Sequence, residues 1–198
     1  MAREALPARP VRDRVAGSRE GSRCVVLLRG INIGAHNRIA MPALREALTA
    51  AGFEQVVTHL QSGNIVLSTM SDPDTVASAC SRLIAETFGL TVPAVARSRA
   101  ELQAVVDGDP LRGEGVDPKR YQVTFCSQEP GGELLDRLGA IAEDPERLYA
   151  EGRELYAWHP SGIARSRLAT TMARLTLPIS GTARNWKTVT ALLDLASK

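Results

Sequence analysis

The chain has 198 residues, 44% of them hydrophobic and 23% charged, with a net charge of +2. That length holds one large domain or two small ones and buries enough surface to need no disulfide or metal staple. No apolar run approaches the roughly 18 residues of a membrane span, so a membrane partner is not expected.

The charge is uneven. Residues 1–23 carry six arginines against Glu4, Asp13 and Glu20, a net +3, which leaves −1 for the remainder. The basic balance thus belongs to the tail, and a body-wide electrostatic grip on nucleic acid is not indicated. Residues 1–22 lack periodicity, contain Pro7, Pro10, Gly17 and Gly21, and are expected to be a disordered basic tail. They hold no apolar stretch of signal-peptide length. Cys24, Cys80 and Cys126 are odd in number and sit in apolar contexts, so they read as buried thiols of a reducing, cytoplasmic compartment. His36, His59 and His159 share no ligand spacing with them. No metal and no cofactor is expected.

In chain order, "CVVLL" (24–28) is a continuous apolar run and predicts a central strand buried on both faces. Pro42 suits a first helical position, Leu44, Ala47, Leu48 and Ala51 share one face, and Gly52 ends the helix. "FEQVVTH" (53–59) and "NIVLS" (64–68) predict strands joined by the turn "QSGN". Asp72 and Pro73 open a helix with the stripe Val76, Ala79, Cys80, Leu83 and Ile84, closed by Gly89. "PAVARS" (93–98) is an edge-like strand, and "SRAE" (98–101) is a capping box opening a helix to Val106.

Residues 107–120 read as a Gly/Pro/charge linker, and the pattern then repeats. A strand is predicted at 121–126, a helix at 131–142, a hairpin at 146–159 turning near Gly152, and a helix at 164–175. Only a short edge segment near Ile179 remains for a fourth strand, and Thr182 is placed as the cap of a terminal helix bearing Trp186, Val189, Leu192 and Leu193. The expected fold is α+β, two tandem ferredoxin-like (α-β plait) subdomains at 23–106 and 121–198, the second with a C-terminal helix.

In that topology the end of the first strand meets the start of the third. "RGIN" (29–32) should therefore face "QSGN" (61–64), beside the N-terminus of the helix after Pro42. Arg29, Asn32, Asn37, Arg38, Gln61, Ser62 and Asn64 form the candidate ligand-binding set, rich in donors and without a carboxylate. Such a set suits a small phosphorylated or carboxylated ligand. The competing account is structural: Gly and Asn shape turns, and Arg29 can hold loop carbonyls. Arg165, Arg167, Arg184, Asn185 and Lys187 make a second candidate patch, although helix caps and solvated faces explain them equally well. With the basic tail, that patch supports a nucleic-acid partner as an alternative. If Val123 and Phe125 face the helices, Leu155 and Ala157 are placed with them, which leaves Tyr156 and Trp158 either on an open face for base stacking or packed between the subdomains. An enzyme with a site between the subdomains, using Glu151, Glu154 or His159, is the third reading.

The segments "LLRGINIGAHNRIAMPALREAL", "LQSGNIVLS", "DPKR…VTF", "SGIARSRL" and "TARNW" resemble Domain of Unknown Function 1697, a bacterial family of uncharacterised cytoplasmic proteins, over roughly residues 24–197. The resemblance implies two α-β plaits and brings no activity or site residue with it. Ala35 and His59 stand where that family often has Gly and an aromatic residue.

Overall fold

A computed structural model describes residues 21–34, 37–175 and 179–198. Residues 1–20 of the expected tail lie outside the described residues, as do Ala35 and His36. The first half runs β1 (Ser22–Leu28), α1 (Met41–Ala50), β2 (Glu54–His59), β3 (Asn64–Thr69), α2 (Pro73–Phe88), β4 (Ala94–Ser98) and α3 (Arg99–Asp107). The second runs β5 (Tyr121–Cys126), α4 (Gly132–Gly139), β6 (Arg147–Glu151), β7 (Glu154–Trp158), α5 (Arg167–Ala173), β8 (Gly181–Asn185) and α6 (Trp186–Ala196). The protein is α+β. It has two four-stranded antiparallel sheets, ordered β2-β3-β1-β4 and β6-β7-β5-β8, and six α-helices among the described residues.

Local chemistry sets the element ends. Asp72 caps α2 by accepting from the Thr75 N–H at 2.9 Å, and Gly89 closes it in the left-handed region at φ 66°. At α3 both arms of the capping box form: Ser98 Oγ accepts from the Glu101 N–H (3.1 Å), and Glu101 Oε2 accepts from the Ser98 N–H (2.7 Å).

β1 is apolar from Cys24 to Leu28 because both its faces are covered there. Cys24, Val26 and Leu28 pack with α1 and α2, while Val25 and Leu27 share a central core with α3 and α6. Val123, Phe125 and Tyr156 of the second sheet join that same core. The other face of the second sheet, with Cys126, Leu155 and Ala157, packs against α4 and α5. α3 and α6 thus cover the faces of both sheets that would otherwise be open.

Three expectations are corrected. The fourth strand of the second sheet is Gly181–Asn185, not a segment near Ile179, and Thr182 lies within it. The unpaired edge of β5 takes this segment in register, Thr124 opposite Ala183, so Asn185 caps α6 instead, accepting from the Thr188 N–H at 2.9 Å. α5 begins at Arg167 rather than 164, after a turn of 3₁₀ helix at Ile163–Arg165. Register also moves the aromatics: Val123 pairs with Tyr156 and Thr124 with Leu155. Cross-strand partners share a face, so Tyr156, not Leu155, lies with Val123.

Candidate functional site

The mouth between the end of β1 and the start of β3 is assembled as the topology requires. Leu27 pairs with Asn64, and the Leu28 N–H donates to Gly63 O at 2.8 Å. Gly63 is obligatory there. Its φ is 73°, and a Cβ would stand 2.6 Å from Leu28 Cβ and 2.8 Å from Ile31 Cδ1.

Asn32, at φ 53°, ties the crossover to the turn: its amide donates to Gln61 O (2.8 Å) and Ile39 O (3.0 Å) and accepts from the Ile39 N–H (3.0 Å). Asn37 donates to Gly30 O at 3.2 Å, and Arg38 donates to Gly34 O through Nε and Nη2, at 3.3 and 3.2 Å. Both are exposed. These bonds hold the loop against the start of α1, whose N-cap, Ala40, offers no side-chain cap and whose first turn contains no acid. Several backbone N–H groups of that turn are without intrahelical partners.

Arg29 turns away toward the second half. Its guanidinium donates to Leu175 O and, at 2.7 Å, to Ala173 O at the end of α5. Arg184, from the second patch, reaches the opposite way into the mouth. Its Nε donates to Asn64 Oδ1 and its Nη2 to Leu28 O (2.7 Å) and Ser62 O (3.0 Å). Its Nη1 donates to Thr182 Oγ1 (2.7 Å) and Ala183 O (2.8 Å). All five donor positions of the guanidinium are used, and every acceptor is neutral. Burial pulls its pKa down to about 10, which leaves it a cation at neutral pH. Asn64, itself fully buried, spends its amide on His59 O (2.9 Å) and Ser62 Oγ (3.0 Å).

Asn64, Ser62 and Arg184 therefore meet, while the second patch does not gather as one group. Arg184 is buried and Asn185 caps α6. Lys187 is exposed, and Arg165 and Arg167 line a small recess with Glu143 and Glu146, Arg167 standing 3.5 Å from Glu143. Tyr156 is 1% exposed and donates to Val105 O at 3.1 Å, and Trp158 is half-buried in the same core. Packing between the halves, not an open stacking face, is where they lie. His159 is buried with Nδ1 2.8 Å from Glu146 Oε1. Burial works against the Glu146 carboxylate, yet hydrogen bonds from Ser166, His159 and the Glu143 backbone hold its pKa below the usual range. Among the described residues no cluster of three His, Cys, Asp or Glu side chains could hold a metal ion, and no helix is long and apolar enough to cross a membrane.

Sequence reasoning missed the bond between Asn64 and Arg184. Nothing in either segment alone indicates it, because the two residues are 120 positions apart.

The arrangement defines an α+β class with a solved relative. The conserved bacterial protein SP0830 from Streptococcus pneumoniae matches with a TM-score of 0.70 over 88% of this chain and 98% of that one, at 20% identity, a likeness of fold alone. Residues 22–156 match the family described as "Protein of unknown function (DUF1697)", and the chain belongs to that family. None of the curated proteins compared matches the sequence.

Proposed function

We propose that the mouth binds a small phosphorylated or carboxylated molecule. The observation that carries this reading is a charge imbalance. Arg29, Arg38 and Arg184 bring three guanidiniums to one sheet end, and among the described residues none is paired with a carboxylate. Arg174, exposed between the two residues that hold Arg29, adds a fourth positive charge nearby. The open N-terminal turn of α1 favours an anion further.

The roles divide by availability. Arg29, Asn32, Asn64 and Arg184 spend their polar atoms on the frame. Arg38, Asn37, Gln61 and Ser62 are exposed and face a ligand, Arg38 as its charge partner. Each half is read as an α-β plait, which the β-α-β-β-α-β order and the strand orders 2-3-1-4 and 6-7-5-8 support, with residues 107–120 as the link. Three free, buried cysteines support a reducing, cytoplasmic setting.

The test is calorimetric titration with inorganic phosphate, a sugar phosphate and citrate. Arg38→Ala removes only exposed bonds to a loop carbonyl, so folding should be kept. Loss of a charge-assisted contact worth about 1.5–3 kcal/mol weakens binding about 10- to 150-fold. Equal affinity in wild type and variant would refute the assignment.

A further inference from the structure

The opposite end of the first sheet carries a second set of unmatched positive groups. β1 begins at Ser22, and Arg23 lies about 17 Å along the strand from Leu28 at the mouth. Arg23, Gln55, Ser68, Arg99 and Lys198 line a cavity of about 410 Å³, with Glu54 as the only acidic side chain among the described residues that line it. This volume is in the range of small-molecule sites.

The cavity wall is built rather than incidental. β2 shifts register against β3 between Glu54 and Val57, and Gln55 sits there in the left-handed region at φ 48°. A long polar side chain in that conformation costs free energy that its surroundings must offset. The kink brings Gln55 Oε1 to accept from Ser68 Oγ (2.8 Å) and from Arg23 Nη1 (3.1 Å). The Gln55 carbonyl accepts from the same nitrogen at 3.1 Å. The amide nitrogen of Gln55 donates to nothing among the described residues.

Arg23 is fixed by one nitrogen and underused at the others. Nη2 makes a single long contact, 3.5 Å to Leu195 O, and Nε is buried without an acceptor among the described residues. Arg99 donates only through Nε, to Ser197 Oγ at 3.2 Å. Neither guanidinium is paired with a carboxylate among the described residues. Arg23 and Arg99 against Glu54 leave the wall with a positive excess, and spare N–H donors remain on both guanidiniums and on the Gln55 amide.

We infer that this cavity is an anion site distinct from the mouth, suited to a phosphate monoester. Such a group carries about −1.5 to −2 at neutral pH and presents three acceptor oxygens, which suits a positive wall with spare N–H donors. Arg23 and Arg99 supply the charge. The Gln55 amide orients the phosphate, and Ser68 holds Gln55 in place.

Inorganic phosphate is the probe, and amide NMR of the full chain is the readout because it resolves the two ends of the sheet. Phosphate should shift the Gln55 side-chain amide and the Ser68 backbone amide in a saturable way, in wild type and in Arg38→Ala alike. Arg99→Glu should weaken that response about tenfold or more, whereas Glu54→Gln, which removes a carboxylate side chain from the wall, should strengthen it. Arg99 is exposed, so Arg99→Glu should melt within about 2 °C of wild type. Arg99→Lys, which keeps the charge, should retain most of the binding. No saturable shift at Gln55 and Ser68 in wild type, or equal affinity in Arg99→Glu, would overturn the site. Loss of the response in Arg38→Ala would overturn its independence from the mouth.

Discussion

Arg97→Met tests what holds the two halves together. Arg97 lies on β4, is 2% exposed, and donates through Nε to Glu154 Oε1 of β7 at 2.7 Å. Nη1 donates to Ala96 O and Nη2 to Cys126 O, each at 2.8 Å, while the guanidinium stands 5.8 Å from the Phe125 ring. Methionine keeps much of the stem volume and removes every donor. Glu154 then remains as a buried carboxylate with no partner, a situation that costs about 3–5 kcal/mol. For a chain of this length each kcal/mol moves the melting temperature about 2–4 °C, so the expected fall is about 6–20 °C. Equilibrium urea unfolding gives the free energy directly. The double variant Arg97→Met with Glu154→Leu removes both charges and should recover most of the loss, since replacing a buried pair by apolar groups is often close to neutral. A single variant as stable as wild type would refute the reasoning. So would a double variant no better than the single one.

Glycine and cysteine positions give further outcomes. Gly63→Ala meets both a left-handed backbone and a filled space, and should lose about 2–4 kcal/mol in urea unfolding. Gly30→Ala, at φ 72° with nothing within 4 Å, should lose only about 1 kcal/mol. Burial pushes the thiols of Cys24 and Cys80 up to about 12 and that of Cys126 to about 11, from 9.0. Native protein at pH 8 should therefore resist a disulfide reagent that counts three thiols in denaturant. The sign of the linkage is fixed: an acid whose folded pKa is raised stabilises the fold below the unfolded value, and that stability is lost as pH rises. Unfolding free energy should fall from about pH 9 upward, and Cys24→Ala with Cys80→Ala should flatten the slope.

Most of the first half could be read before the structure because each signal there is local. A continuous apolar run, a capping box and a turn glycine each report on their own few residues. The expected pairing of "RGIN" with "QSGN" needed only the strand order. The second half resisted for two reasons. "GTARN" is polar and short, and it forms β8 because β5 offers it an edge, which no local pattern records. The hairpin faces went astray because alternation fixes which residues share a face within one strand, but not the register that aligns one strand with the next. At the mouth the residue types were legible and their partners were not. Arg29 and Arg184 exchange places between halves, each donating to acceptors supplied by the other half.

Coverage of the sheets narrows where recognition can occur. A four-stranded antiparallel sheet packed on helices normally leaves one face to solvent, and that face is a natural platform for a ligand. Here α3 and α6 cover that face on both sheets, and the Tyr121 ring packs tilted against Trp186 of α6 with centroids 5.1 Å apart. What stays accessible is the perimeter. β1 is central and apolar, yet an arginine stands at each of its ends, Arg23 and Arg29, and neither is matched by a carboxylate among the described residues. The two ends differ in what the fold asks of them: Arg29 ties β1 to the end of α5 through two carbonyls, whereas Arg23 keeps Nε without an acceptor among the described residues, so the spare hydrogen-bonding capacity of β1 lies at its Arg23 end.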